Sequence, residues 1–502
     1  MATTSGPPWN ETGRQKKDPI LNAIARVELA GHAYVPEIDL LQICTKGATQ
    51  VVGQYQSDLK VLLESKLLRR DDGRIYSAKT WDYEMYAARR LAEMLALPTF
   101  PDLRRPIPPK CRGVTLDEAQ REAVRMALTN RLSLILGGAG SGKTTIIRAI
   151  RYQFPGRTVI AAPTGKAARN LMDRAGLRAI TVHAALGKVP DEDFISDSQW
   201  AGIGMVIIDE ASMLTLEMLA GILSKVQRDC RIVLVGDPMQ LPAVGAGNVV
   251  PDLLALGVPH ITLSRTYRIT DGVGALRHNV TKFDGIRSAK DLLLDGSFKF
   301  KEVPEAKIAR ELCSHAFALS RESEVQPLCT HNVFTAYSVD NLNAALQSGF
   351  NPSTKYLEME QKRIKDGDRV MITCNDRVRG ICNGDTGIFH MLSDGKGFEV
   401  DLLDGRKPRW DTVSGLKDLV LAYALTIHKS QGSQYDTVIL PVSQAQDHML
   451  NRNLFYTGIS RAKKRVILLG DWQSVDDAMK RKPPRRRSMM VERTRRLMKA
   501  AS

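Results

Sequence analysis

The chain has 502 residues, enough for three to four domains, and its 43% apolar and 25% charged composition excludes a fibrous, collagenous or wholly disordered protein. No run approaches the ~18 uninterrupted apolar residues of a membrane span, and MATTSGPPWNETGRQKKD lacks the apolar core of a secretory signal, so a cytoplasmic protein is expected, with residues 1–18 disordered. The net charge of +16 favours polyanionic partners, nucleic acid first, and the seven cysteines show no CxxC pair or zinc-type spacing, so reduced thiols are expected.

Residues 19–109 read as a helical module and its linker. In TQVVGQYQSDLKVLLESKLL the apolar positions Val51, Val52, Tyr55, Leu59, Leu62 and Leu63 recur three or four apart, one buried helical face. LLRRDDGRIYS then sets Asp72-Gly73 between two short strand-like runs, a hairpin signal. Helices followed by a hairpin predict a winged-helix-like fold. PTFPDLRRPIPPK (98–110) carries five prolines and reads as a stiff linker.

From there the runs LSLIL, TVIAA (158–162), MVIIDE (205–210) and RIVLVGD (231–237) alternate with helix-like segments. Continuous apolar runs of this kind predict a parallel sheet buried on both faces. The pattern returns in DTVILP (436–441) and RVILLGD (465–471), so two α/β lobes are expected. The first spans 110–262 and the second is split into 263–364 and 421–475. Between its halves, residues 365–420 hold short alternating strands broken by Asp-Gly and Asn-Gly turns, an inserted antiparallel β module. Residues 476–502 form a basic C-terminal tail: from Lys480 to Lys499 there are ten basic residues against one acidic, either a polyanion contact or a solvated end.

GGAGSGKTT (137–145) follows an apolar strand and opens a helix-like segment, the context in which G-x-x-x-x-G-K-[ST] cradles phosphates. Backbone groups of Gly138, Ala139, Gly140, Ser141 and Gly142 would curl around the phosphates. Lys143 would reach the β and γ oxygens, and Thr144 would offer its hydroxyl to Mg²⁺, with Thr145 next to it in the nucleotide-binding stretch. Asp209 and Glu210 end MVIIDE at the carboxyl edge of the sheet, one suited to Mg²⁺ and the other to the attacking water. Gln240 in GDPMQLPAVGAG carries both donor and acceptor, so it is suited to sensing the γ-phosphate; taken alone it is a turn residue.

These stretches, with AAPTGKAARNL (161–171), TVHAALG (181–187), LSRTYR (263–268), YALTIHKSQGSQYDTVILP (423–441) and NLFYTGISRAKKRVILLGD (453–471), resemble the motif series of superfamily 1 helicases of the RecD-like and Dda-like group, in the family's order across 113–471. The N-terminal module resembles the segment that precedes the core in the longer bacterial RecD-like proteins, whose helix-hairpin-helix region has no counterpart here. The resemblance implies two RecA-like P-loop lobes, an SH3-like identity for the 365–420 insertion, and an ATP-dependent DNA helicase using ATP and Mg²⁺ (Thr144 and Asp209).

It implies Gln120 as the adenine-reading residue, and Lys143, Glu210, Gln240, Arg268 and Arg461 as the catalytic set. Pro163, Thr164, His183, Thr426 and His428 would line the single-strand track. In the segment 187–204 it implies a strand-separating hairpin, with Phe194 or Trp200 as the wedge or else as a core anchor. Single-stranded DNA and its junctions are the implied partners of a monomer moving 5′→3′ in repair, recombination or replication, alongside single-strand-binding or replication and repair proteins. A DNA-stimulated translocase without strand separation, and a motor subunit of a nuclease complex, stay open as alternatives.

Overall fold

The computed structural model describes residues 18–46, 52–101, 106–111, 113–187, 195–265, 297–360, 362–376, 378–393, 395–446 and 449–501. Asp18 caps the first helix by accepting from the backbone N–H groups of Ile20 and Leu21. The N-terminal module then runs α1 (Pro19–Leu29), β1 (Val35–Pro36), α2 (Glu37–Thr45), α3 (Val52–Glu64), β2 (Leu68–Asp71), β3 (Arg74–Ser77) and α4 (Ala78–Ala96). Its three strands order β1-β3-β2, and Tyr55, Leu59 and Leu62 supply the buried face of α3. Asp72 at φ 47° and Gly73 at φ 71° make the tight β2–β3 turn. A two-stranded link, β4 (Lys110–Cys111) with β5 (Val114–Thr115), leads into the first lobe.

The first lobe comprises α5 (Glu118–Thr129), β6 (Leu132–Gly137), α6 (Lys143–Gln153), β7 (Arg157–Ala162), α7 (Gly165–Ala175), β8 (Ile180–Thr181), α8 (Val182–Ala185), α9 (Asp197–Trp200), β9 (Ile203–Ile208), α10 (Leu216–Lys225), β10 (Arg231–Gly236), α11 (Val249–Ala255) and β11 (His260–Leu263). Its sheet is parallel throughout, in the order β11-β6-β10-β9-β7-β8. Every residue of β6 is buried, because helices cover both faces and leave no polar side to the strand. One face joins a core with Leu134, Val206 and Leu234, the other with Ile135, Ile207 and Val233.

The second lobe comprises β12 (Phe298–Glu302), α12 (Ile308–Leu319), β13 (Val325–Cys329) and α13 (Val339–Phe350). After the insertion come β21 (Leu425–Thr426), β22 (Tyr435–Val442), α14 (Arg452–Ile459), β23 (Ala462–Gly470) and α15 (Trp472–Lys480). Its sheet is also parallel, ordered β12-β23-β22-β13-β21. Leu241 of the first lobe is buried in the second lobe's core beside Leu454 and Ile459.

The insertion is larger than the turn pattern suggests. Its five-stranded antiparallel sheet, β19 (Arg409–Trp410), β18 (Phe398–Leu402), β17 (Thr386–Met391), β16 (Arg369–Ile372) and β20 (Leu419–Leu421), is preceded by a hairpin of β14 (Tyr356–Met359) and β15 (Lys362–Lys365). Leu357 and Ile364 of that hairpin join the same core as Phe389, Phe398 and Trp410, so the module begins near residue 356 rather than 365.

The C-terminal segment departs most from its reading as a basic tail. Residues 476–480 complete α15, and Met490–Ala501 form a further helix, α16, packed on α4. Met490 joins the first lobe's core with Tyr76 and Leu91. Some of the basic side chains turn inward, while Lys480, Lys482, Arg485, Arg495, Arg496 and Lys499 stay exposed: Arg493 pairs with Glu84 at 3.0 Å and Asp71 at 2.9 Å and lies 3.9 Å from the Trp81 ring centroid. Arg486 donates to the carbonyls of Ala243 at 2.6 Å and Gly247 at 3.0 Å, tying the segment to the loop after β10. All cysteines among the described residues are free, and among them no helix is long and apolar enough to cross a membrane.

Candidate active site

The loop after β6 turns on Gly140 at φ 84° and Gly142 at φ 85°, where a Cβ would strain the backbone. Gly142 caps α6, so the helix's first N–H groups and positive dipole end open into the cleft. Lys143 Nζ donates to the carbonyls of Gly137 at 2.6 Å and Gly138 at 2.9 Å. These are neutral acceptors, and anionic phosphate oxygens make the stronger charge-assisted bond.

Strand β9 delivers the acidic pair. Asp209 is held by its N–H donating to Ala161 O at 2.9 Å, and its Oδ1 accepts from the Glu210 N–H at 2.9 Å. Burial first, and the Glu210 charge second, push the Asp209 carboxyl well above the ordinary carboxylate range, while Lys143 opposes the shift. Glu210 is left-handed at φ 52°, and its Oε2 is buried with no hydrogen-bond partner among the described residues. A buried carboxylate oxygen left open, beside a carboxyl raised by burial and by like charge and the Thr144 hydroxyl in one cleft, fits Mg²⁺ and its waters.

The loop at the end of β10 reaches the other lobe. Asp237, 1% exposed, accepts from Tyr456 Oη at 3.0 Å, and the Leu241 N–H donates to Thr457 Oγ1 at 2.9 Å. Gln240, 6% exposed, accepts at its backbone carbonyl from Asn453 Nδ2 at 3.2 Å. A Cβ on Gly138 would stand 2.9 Å from Tyr456 Oη, so the phosphate loop itself abuts this tyrosine. From α14 and the turn after it come Arg461 Nε donating to Thr457 O at 3.1 Å, Nη1 to Ser433 O at 3.3 Å and Nη2 to Ser460 Oγ at 2.9 Å. Burial lowers the Arg461 pKa, and Glu210 and Asp237 across the cleft partly offset that.

The cleft holds about 540 Å³ and is walled by residues including Gln120, 139–145, Asp209, Glu210 and Gln240 from the first lobe and Gly432, Ser433, Gln434 and Arg461 from the second. Gln120 is buried, and its Oε1 is engaged by the Asp117 N–H at 3.1 Å in a capping box. The structure thus brings the expected nucleotide-site residues together, apart from Gly138, which does not wall the cleft although its carbonyl accepts from Lys143, and Arg268, which lies outside the described residues. Asp237, Asn453, Tyr456 and Thr457 were missed at the sequence level. Their signal lay inside GDPMQ and NLFYTGIS, but nothing local tells that these two stretches touch.

The expected track residues sit at the carboxyl ends of β7 and β21 and on α8. Thr164 Oγ1 caps α7 by accepting from Ala167 N–H at 3.2 Å. Thr426 is 7% exposed and caps its own turn by accepting from Lys429 N–H at 3.1 Å. His428 shows an exposed edge, although the groups packed around it desolvate the ring and lower its pKa. Pro163 is buried and His183 partly exposed.

Trp200 is not available as a wedge: it is 2% exposed and donates from Nε1 to Ala185 O at 3.3 Å. Within 187–204, residues 188–194 lie outside the described residues, and Asp197–Trp200 form the short helix α9, opened by a Ser196–Gln199 capping box. Phe194 lies outside the described residues. In the insertion, Arg406 pairs with Asp385 at 3.0 Å and with Asp404, Arg409 with Asp411, and Arg379 with Asp376, so these charges are spent locally. Asp385 also holds Arg169 of α7 at 2.8 Å, which latches the insertion to the first lobe.

Known proteins share this layout. Residues 115–290 match the AAA domain family and residues 421–469 the UvrD-like helicase C-terminal domain. The RecD subunit of the RecBCD enzyme from Mycolicibacterium smegmatis is 31% identical over 414 residues, covering 73% of this chain and 73% of that protein. The chain belongs to the RecD family of helicases. Another relative of this RecD-family chain, the ATP-dependent RecD2 DNA helicase of Deinococcus radiodurans, is 31% identical over 457 residues, 88% of this chain; the chain spans 62% of that protein's length. A crystal structure of the Pif1 helicase from Bacteroides in complex with ADP-AlF3 and single-stranded DNA has a TM-score of 0.50 at 20% identity, covering 77% of this chain and 98% of that one, a likeness of fold.

Proposed function

We propose that this chain is an ATP-dependent DNA helicase that moves along single-stranded DNA in the 5′→3′ direction. The observation that carries the reading is the convergence of Lys143, Asp209, Glu210 and Gln240 from one lobe with Arg461 from the other around a single cleft. Lys143 and Arg461 stabilise charge on the transferring phosphoryl group, Arg461 as a planar fork supplied across the lobe boundary. The family's motif series assigns the same role to Arg268, in LSRTYR. Thr144 and Asp209 would hold Mg²⁺, which when bound would supply positive charge to offset that of the phosphates. Glu210 accepts the proton of the attacking water, and Gln240 orients that water.

Coupling to movement follows from the bonds of residues 237–241 to Asn453, Tyr456 and Thr457. A shift of Gln240 on loss of the γ-phosphate is passed to α14, and with it to the second lobe's grip. Pro163, Thr164, His183, Thr426 and His428 form the strand track, and Phe194 is the remaining candidate for a separating wedge. Repair, recombination or replication is the setting this activity fits. The test is phosphate release with and without an oligo-dT strand. Strong stimulation that vanishes in Lys143→Ala supports the reading, and turnover indifferent to nucleic acid contradicts it.

A further inference from the structure

At the carboxyl end of β13 the chain makes a compact loop, residues 330–338, before α13. Parallel pairing sets Cys329 opposite Thr426, and the Ile427 N–H donates to Cys329 O at 2.9 Å. The loop therefore stands beside the turn that carries His428 and Lys429, both exposed.

Its base is firmly tied. Thr330 Oγ1 lies 2.6 Å from His331 Nδ1, Thr335 Oγ1 lies 3.1 Å from His331 Nε2, and Asn341 Nδ2 donates to Thr335 O at 2.8 Å. Tyr337, 1% exposed, anchors the far side through Ser443 Oγ at 2.5 Å. On this anchored base Phe334 is 89% exposed and sits at φ 94°. A bulky side chain at positive φ is a backbone outlier, and here the strain yields no buried contact in return. The ring's recorded aromatic neighbour is His331, with centroids 6.1 Å apart. A rigid loop that holds a large apolar ring in water, in a strained conformation, is built to meet a flat apolar partner.

We infer that Phe334 stacks against a base of the single strand as it crosses the second lobe. The inference rests on the reading of the Thr426–His428 turn as part of the strand track. Stacking suits that place because every base offers a π face, so the contact is indifferent to sequence, as a motor that must pass any sequence requires. His428 and Lys429 alongside supply polar and cationic groups for the neighbouring phosphates, which position the strand while the ring holds a base.

The test uses the full chain without nucleotide. Binding of a fluorescein-labelled dT oligonucleotide is followed by anisotropy, and intrinsic fluorescence is followed during titration with unlabelled dT. Phe334→Ala should weaken binding on the order of tenfold, the loss of one stacked base. Phe334→Trp should restore affinity and add quenching beyond that of the wild-type tryptophans, because the new indole lies against a base. Phe334→Gly should weaken binding as Ala does while raising the melting temperature, since glycine relieves the strain at φ 94°. Wild-type binding with all three variants equal and no added quenching would overturn the inference alone, as would stacking of the loop on a protein partner with strand affinity untouched. A wild type that binds no strand would overturn it together with the reading it rests on.

Discussion

Arg461 and Arg493 are both buried arginines, at 4% and 7% exposure, yet they sit in opposite electrostatic settings. Arg493 is neutralised by Glu84 and Asp71 and covered by Trp81. Arg461 donates only to carbonyls and a serine of its own lobe, and among the described residues no carboxylate lies within ion-pair reach. A buried charge that is paired holds a fold together; one held by dipoles alone, facing an acidic cleft, is poised for an anion not yet bound. The comparison also corrects what a net charge of +16 means. Basic residues that look alike in the sequence include one held at the cleft, Arg461, and one consumed in packing, Arg493, beside others that stay exposed, such as Arg495 and Arg496.

The largest expected effect separates the two arginines outright. Arg461→Met should lower strand-stimulated turnover by about 10³-fold or more, the scale of a lost arginine finger, while thermal unfolding shows a melting temperature unchanged or raised. Next, Glu210→Gln should cost about 10²- to 10⁴-fold in phosphate release while binding of a fluorescent ATP analogue persists, the signature of a proton acceptor rather than a nucleotide anchor. On the other side of the comparison, Arg493→Met should leave Glu84 buried without its partner and cost about 3–5 kcal/mol of stability by denaturant unfolding, with turnover at low temperature retained.

The smallest effect is a pH dependence beside the same ion pair. Asp252 is pushed up to about 6 by burial and by the Glu84 charge, against hydrogen bonds from Ser488 and Asn248 and the charge of Arg485. An acid whose folded pKa exceeds its unfolded value gives stability that is full below the unfolded pKa, about 4, and lost as pH rises through the folded one. Wild-type melting temperature should therefore fall between about pH 4 and pH 7. Asp252→Asn should remove about 1–3 kcal/mol of that slope. A slope identical in the variant would assign it elsewhere.

The nucleotide half of the site was legible because its chemistry is local: GGAGSGKTT builds one turn, and MVIIDE ends one strand. Gln120, Gln240 and Arg461 needed the motif series to be placed, since no spacing rule brings residues so far apart in the chain to one cleft. Tyr456 and Thr457 stayed hidden because their partners, Asp237 and Leu241, belong to the other lobe. The C-terminal helix was masked by charge. Met489 and Met490 are buried and Ser488 Oγ accepts from the Met490 N–H at the helix start, but the surrounding arginines read as solvated until Glu84 and Asp71 are found opposite Arg493. The β14–β15 hairpin escaped for a related reason, because its inward anchors, Leu357 and Ile364 with the partly buried Met359, are few among polar neighbours.

The central claim, that the two-lobed cleft drives strand separation, is tested most directly by ATP-dependent strand release. The substrates are two duplexes, one with a 5′ single-stranded tail and one with a 3′ tail, each run beside Lys143→Ala. The account predicts release from the 5′-tailed duplex alone and none in the variant. Strand-stimulated ATP hydrolysis without release from either duplex would contradict it and leave a translocase in its place.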